Sequence, residues 1–184
     1  MLPFTVNNIK ASCKIISATV SRDLRELASK SSLVTKTRGN FFVLRKDFVF
    51  IIFYTGHVNC TKLKLVTDIE KARTYLESLI DKSVVTTPKI DNITTSGASH
   101  PSSGGVNLFK LCQYLKDRGI SYRFKPHRFP GLNFKIGGAT IIIFTSGKFI
   151  AVGTQSIASA FEHIELFSIL LGEYELLQQQ QQQQ

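Results

Sequence analysis

A degenerate internal repeat constrains this chain more than any other feature. Asn7-Asn8-Ile9-Lys10-Ala11-Ser12 returns loosely as Asp91-Asn92-Ile93-Thr94-Thr95-Ser96, and Ile52-Phe53-Tyr54-Thr55-Gly56-His57 returns more closely as Ile143-Phe144-Thr145-Ser146-Gly147-Lys148. Such self-similarity means that one supersecondary unit is used twice. The parts also come in the same order in both halves. An extended segment opens each (about 5–14, then 89–98), and a short amphipathic helix follows. The first helix is predicted over 21–30; the second starts after Asn107, a good N-cap, and stops at Gly119, a good C-cap. Strands rich in Val, Ile and Phe come next, and a longer helix closes each half. The first closing helix opens on Thr67-Asp68-Ile69-Glu70, which reads as a capping box, with Ile69, Ala72, Leu76, Leu79 and Ile80 as its apolar stripe. Its counterpart is predicted over 156–171, with Ile157, Phe161, Ile164 and Leu171 inward.

The strands between Phe48 and Phe53, and between Thr140 and Phe144, are apolar rather than alternating, so both faces of the sheet are greasy. Tight turns such as Tyr54-Thr55-Gly56-His57 imply an antiparallel meander rather than crossovers. Two helices per half cover one face only. The second apolar face must then be hidden by a partner or used for binding.

The chain has 184 residues, 43% of them hydrophobic, enough for one domain or two fused halves with a proper core. Its net charge of +10 suits an anionic partner, because a basic face releases the counterions of a polyphosphate on binding. The charge is uneven: 118–148 holds several Lys and Arg and no acid, whereas only Glu is charged after Lys148. Cys13, Cys60 and Cys112 are odd in number and lack paired spacing, which indicates neither a disulfide framework nor a zinc site. His100, His127 and His163 have no Cys or carboxylate at a helpful spacing, so no metal, cofactor or catalytic role is expected and the chain reads as a non-enzyme. No signal peptide or membrane-spanning run is evident, and a soluble intracellular protein is expected.

Phe129-Pro130-Gly131-Leu132, followed by Ile142-Ile143-Phe144-Thr145-Ser146-Gly147-Lys148 and Gly153, resembles the second repeat of the TATA-box-binding protein family; Asn92 and Pro126 also match. The first repeat matches more weakly through Asn8, Ile52-Phe53, Gly56, Thr61 and Lys64. The resemblance implies an α+β fold: two tandem repeats of a curved antiparallel sheet with two helices each, forming a pseudo-twofold saddle. The first repeat is expected over 1–87 and the second over 88–177, with 178–184 as a disordered polyglutamine tail.

The family's established mechanism, minor-groove binding with Phe wedges that kink the duplex, assigns roles here. Phe129 and Phe144 are one expected wedge pair and Phe53 belongs to the other. For the fourth wedge, Phe41 and Phe42 compete, and a hairpin shortened by an even number of residues favours Phe42. Asn8 and Asn92 are expected to donate to minor-groove acceptors, with Ile51, Thr61, Ile142, Ile150 and Val152 as the groove-contacting floor. Arg45, Lys64, Lys135 and Lys148 take the phosphate positions, and His57 and Gln155 stand where lysines are usual.

Other departures are Lys10, Asn59 and Thr94 in place of small apolar floor residues, and a basic turn containing Lys125, His127 and Arg128 where the family carries acids that hold general transcription factor B. Reversed charge there should weaken that contact or select an acidic partner.

The expected function is a general transcription initiation factor. It would bind A·T-rich double-stranded DNA as a monomer, kink it and nucleate preinitiation complex assembly with a factor-B-like partner. Its place would be the nucleus, or a viral factory if the source is viral. The alternatives are a decoy or repressor that keeps the fold without promoter binding, and an accessory domain of a nucleic-acid enzyme.

Overall fold

A computed structural model describes the chain except for residues 1, 18, 38, 40, 81–83, 100–104, 183 and 184; His100 and the last two glutamines therefore lie outside the described residues. The first half comprises β1 (Phe4–Ile16), α1 (Val20–Lys30), β2 (Val34–Lys36), β3 (Phe41–Arg45), β4 (Val49–Phe53), β5 (His57–Leu63), α2 (Thr67–Leu79) and β6 (Val84–Val85). The second comprises β7 (Lys89–Ala98), α3 (Leu108–Asp117), β8 (Tyr122–Lys125), β9 (Phe129–Ile136), β10 (Ala139–Ile143), β11 (Lys148–Thr154) and α4 (Ile157–Gln182). Two compact units result: Asn8–Asn92, and Ile93–Gln184 together with Met1–Asn7.

Within the first unit the strands run β2-β3-β4-β5-β1, with the short β6 on β1; within the second they run β7-β11-β10-β9-β8. The pairings that set the register inside each unit are antiparallel. Burial alternates along them as a sheet covered on one face demands. In β4, Phe50 and Ile52 are buried while Val49, Ile51 and Phe53 are half-buried; in β10 and β11, Ile141, Ile143, Phe149 and Ala151 are buried while Ile142, Ile150 and Val152 are half-buried. The buried set packs on the helices. Phe134 and Phe149 set their rings against Phe167 of α4 at 6.0 and 5.0 Å, and Leu24, Leu44, Leu63 and Leu76 fill the first unit's core. Each such side chain contributes about 1.5–3 kcal/mol by leaving water.

Local chemistry explains the ends of the elements. Asn107 Oδ1 accepts from the backbone N–H groups of Phe109 and Lys110, both at 3.1 Å, and Gly119 ends α3 at φ +69. The capping box predicted at Thr67 is not made. The helix already includes Thr67, which shifts Glu70 out of the box spacing, and Asp68 Oδ2 instead accepts from the N–H groups of Lys64 (3.1 Å) and Leu65 (2.9 Å). These bonds hold the Asp68 carboxyl below its ordinary range. Phe161, predicted inward, is 43% exposed and lies edge-on to Phe4 at 4.7 Å. Helix α4 continues to Gln182 where a disordered tail is predicted from Gln178; glutamine is a good helix former, and extending an existing helix avoids the cost of nucleation.

Each unit carries a bulge. The β1–β5 register shifts between Ile9 and Ala11 where Lys62 has φ +70, and the β11–β7 register shifts between Val152 and Thr154 where Gly153 has φ +103. One half meets this left-handed requirement with glycine and the other strains a lysine into it.

Candidate nucleic-acid interface

The sheet face away from the helices carries the same pattern in each unit. In the first, Phe41 lies directly opposite Phe53 across β3–β4, their ring centroids 5.8 Å apart. Half-buried Ile51, Asn59 and Thr61 continue that face, with Ile51 opposite Asn59 and Val49 opposite Thr61. In the second, Phe129 and Phe144 meet at 5.9 Å with their planes at 64°, and Phe129 is 43% exposed. Behind that pair, Ile142 lies opposite Ile150 and Thr140 opposite Val152, with Ser96 and Thr94 beside them on β7. Each unit thus offers a half-buried, mostly apolar floor ending in an aromatic pair.

Polar groups on the first floor are specifically arranged. Asn8 Oδ1 accepts from Thr61 Oγ1 at 3.0 Å and from the Lys62 backbone N–H at 2.7 Å. A backbone N–H can only donate, so these bonds fix the amide's orientation and leave Nδ2 as its outward donor. Lys10 is neutralised in place: its Nζ lies 3.7 Å from Asp91 Oδ2, and Ser12 Oγ donates to Asp91 Oδ1 at 2.8 Å. In the second unit Asn7 Nδ2 donates to Ser96 Oγ at 2.7 Å.

Residues 87–174 match the family model described as transcription factor TFIID (or TATA-binding protein, TBP). The chain is 27% identical over 165 residues to the TATA-box-binding protein of Pyrobaculum aerophilum, covering 83% of this chain and 78% of that one. It is 30% identical over 125 residues to the TATA-box-binding protein of Archaeoglobus fulgidus, covering 64% and 66%. The fold matches that of Methanococcus jannaschii TBP with a TM-score of 0.69 at 22% identity, over 92% of this chain and 98% of that one.

The chain belongs to the TATA-box-binding protein family.

For this TATA-box-binding protein relative, the geometry corrects one expected site residue. Phe42 does not lie on the open face. It is fully buried opposite Ile52, against Tyr54, whereas Phe41 shares the open face with Phe53. The physical reason is the β3–β4 loop. Arg45 pairs with Val49, so three residues make the turn, and that register sets Phe41 across from Phe53. In the second unit Ile136 pairs with Ala139, leaving a two-residue Gly137-Gly138 turn.

The expected cations are all exposed: Arg45 opposite Val49, Lys135 opposite Thr140, Lys148 at the start of β11 and Lys64 just beyond β5. His57, also exposed, lies 6.0 Å from the Phe53 ring. Asn92 is half-buried on β7. Lys125, His127 and Arg128 form the turn between β8 and β9, closed by the Arg128 N–H donating to the Lys125 carbonyl at 2.9 Å.

Gly131 has a role that its place in the Phe129-Pro130-Gly131 run alone does not define. A Cβ built there would lie 2.6 Å from Phe129 Cε1, 2.9 Å from Ile142 Cγ2 and 3.1 Å from Phe144 Cε1. Its missing side chain is the hollow that seats exposed Phe129 against half-buried Phe144, and the signal was the Phe-Pro-Gly run itself. His163 is structural: its Nε2 accepts from the Gly138 N–H at 2.8 Å and braces the β9–β10 turn. Burial pushes the Cys13 thiol up to about 11 and that of Cys60 up to about 12, which leaves both poor nucleophiles near neutrality.

Proposed function

We propose that this protein is a TATA-binding general transcription initiation factor that grips A·T-rich duplex DNA through the minor groove. The observation that carries the reading is the open floor of each unit, apolar in the main and ending in an aromatic pair, on a fold of this family. Phe129 with Phe144, and Phe41 with Phe53, are the wedges. Ile51, Thr61, Ile142, Ile150 and Val152 meet the opened groove, and the free Nδ2 of Asn8 matches the acceptors that A·T and T·A both display there. Asn92 takes the corresponding role, while Arg45, Lys64, Lys135 and Lys148 set position on the phosphates without reading sequence.

Unstacking costs on the order of a few kcal/mol per kinked step and is offset by groove contact and counterion release. The chain acts by binding as a monomer and holds the bent duplex for general transcription factors. With Lys125, His127 and Arg128 in the β8–β9 turn, the protein would engage factor B weakly through that turn, and tight binding there would contradict this assignment. It would work on chromosomal DNA, in the nucleus where the source has one. No observation favours the decoy reading.

The test is fluorescence-detected binding and bending of a short TATA duplex against a G·C-rich control, with Phe129→Ala and Phe144→Ala in parallel. Preferential bending that collapses in both variants is expected. Binding without preference, bend or variant effect would remove the proposal.

A further inference from the structure

Three cations converge beside the exposed wedge on the edge strand of the second unit. Arg123, Lys125 and Arg128, with Phe129, Gly131 and Asn133, line an open groove of about 310 Å³. The hairpin builds the cluster. Arg123 pairs with Asn133 and Lys125 with Phe129, so these two cations stand along β8 beside β9, and Arg128 follows in the turn that joins the strands. Pro126 at the second position of the turn favours its bend, and the closed turn brings Lys125 and Arg128 within a few ångströms of each other.

Lys10, Arg22, Lys30, Lys71, Arg73 and Arg118 each stand in an ion pair, whereas Arg123, Lys125 and Arg128 make none among the described residues. A groove holding three unneutralised cations and no carboxylate suffers self-repulsion unless an anion fills it.

We propose that Arg123, Lys125 and Arg128 form an additional phosphate site that clamps the sugar-phosphate backbone of the duplex flanking the step opened by Phe129. This rests on the DNA-binding reading and adds to it a contact tract beyond the four phosphate positions named above. The groove's lining decides for nucleic acid over an acidic protein. The cations share it with Phe129, Gly131 and Asn133, so whatever neutralises them must also lie against the wedge and the floor. Guanidinium forks grip phosphate oxygens in bidentate fashion. The turn is thereby a DNA-gripping element.

The experiment is a salt titration of binding to a labelled TATA duplex with two flanking turns of DNA. The full chain is compared with an Arg123→Gln/Lys125→Gln/Arg128→Gln variant and with Lys110→Gln/Lys116→Gln on α3. Each lost phosphate contact lowers the slope of log K against log salt by about 0.9, so the triple variant should flatten it by roughly 2 to 3, and the helix variant should leave it unchanged. Restoring charge with Arg123→Lys and Arg128→Lys should return most of the slope, which separates charge from folding. A triple variant that melts normally, binds, and keeps the parent slope would overturn the proposal and assign the groove to an acidic protein. A parent chain that does not bind the duplex at all would sink the DNA-binding reading itself, a different and separately visible result.

Discussion

Gly131→Ala tests whether the aromatic pair must be seated as observed. The added Cβ meets Phe129 Cε1 at 2.6 Å, whereas carbon atoms rest at about 3.5 Å or more, so the ring has to retreat by roughly 0.9 Å. Phe129 is 43% exposed and can swing toward solvent, which puts the stability cost at the low end of overpacking, about 1 kcal/mol. What is lost is the ring contact with Phe144, worth about 0.5–1.5 kcal/mol. Affinity for a TATA duplex should therefore fall by roughly two- to twelvefold, and the bend reported by end-to-end energy transfer should decrease, while the melting temperature moves by only a few degrees. A variant that binds and bends like the parent would refute the idea that the hollow at Gly131 seats the wedge. One that unfolds would refute the assignment of its cost to a mobile surface ring.

Other substitutions separate floor from core. Phe42→Ala should destabilise by about 3–5 kcal/mol in chemical denaturation, whereas Phe41→Ala should leave stability nearly intact and reduce DNA bending; the reverse result would restore Phe42 as the wedge. Lys62→Gly relieves a left-handed lysine and should raise stability by about 0.5–1 kcal/mol after the entropy of glycine is subtracted, read as a higher urea midpoint. Thr95 Oγ1 is buried with no hydrogen-bond partner among the described residues, and Thr95→Val should stabilise by about 1 kcal/mol in the same assay. Asp91→Asn keeps an acceptor for Ser12 but frees Lys10, so DNA binding should tighten at low salt and its salt slope should steepen by about 0.9.

Much of the fold was legible because the signals were local. Asn107 and Gly119 bound α3 as their chemistry requires, and β7 occupies 89–98 as predicted. The greasy strands carry a second, less buried face, as their unbroken apolar runs imply: half-buried Ile51, Ile142, Ile150 and Val152 alternate with core neighbours. What local signals could not supply was competition between neighbouring solutions. Thr67 and Glu70 have capping-box spacing, but the helix gains a residue when Asp68 satisfies the donors upstream, and the box is lost.

The choice between Phe41 and Phe42 shows why the aromatic pairs of the open face were only partly readable. Strand parity is set by the number of residues in the connecting loop, and one residue moves every side chain to the other face. In the second hairpin the loop is marked by Gly137-Gly138, so its register follows from the sequence. In the first, Phe48 lies in the turn, just before β4, and is as apolar as the strand itself; nothing marks where β4 begins. An odd loop of three then reverses the parity that an even shortening implies. The open face does not reveal the error by composition, because Phe41, Phe42 and Val43 are interchangeable in hydrophobicity. Burial distinguishes them: the core needs a large ring opposite Ile52, and only Phe42 is placed to supply it, which releases Phe41 to the face where Phe53 waits.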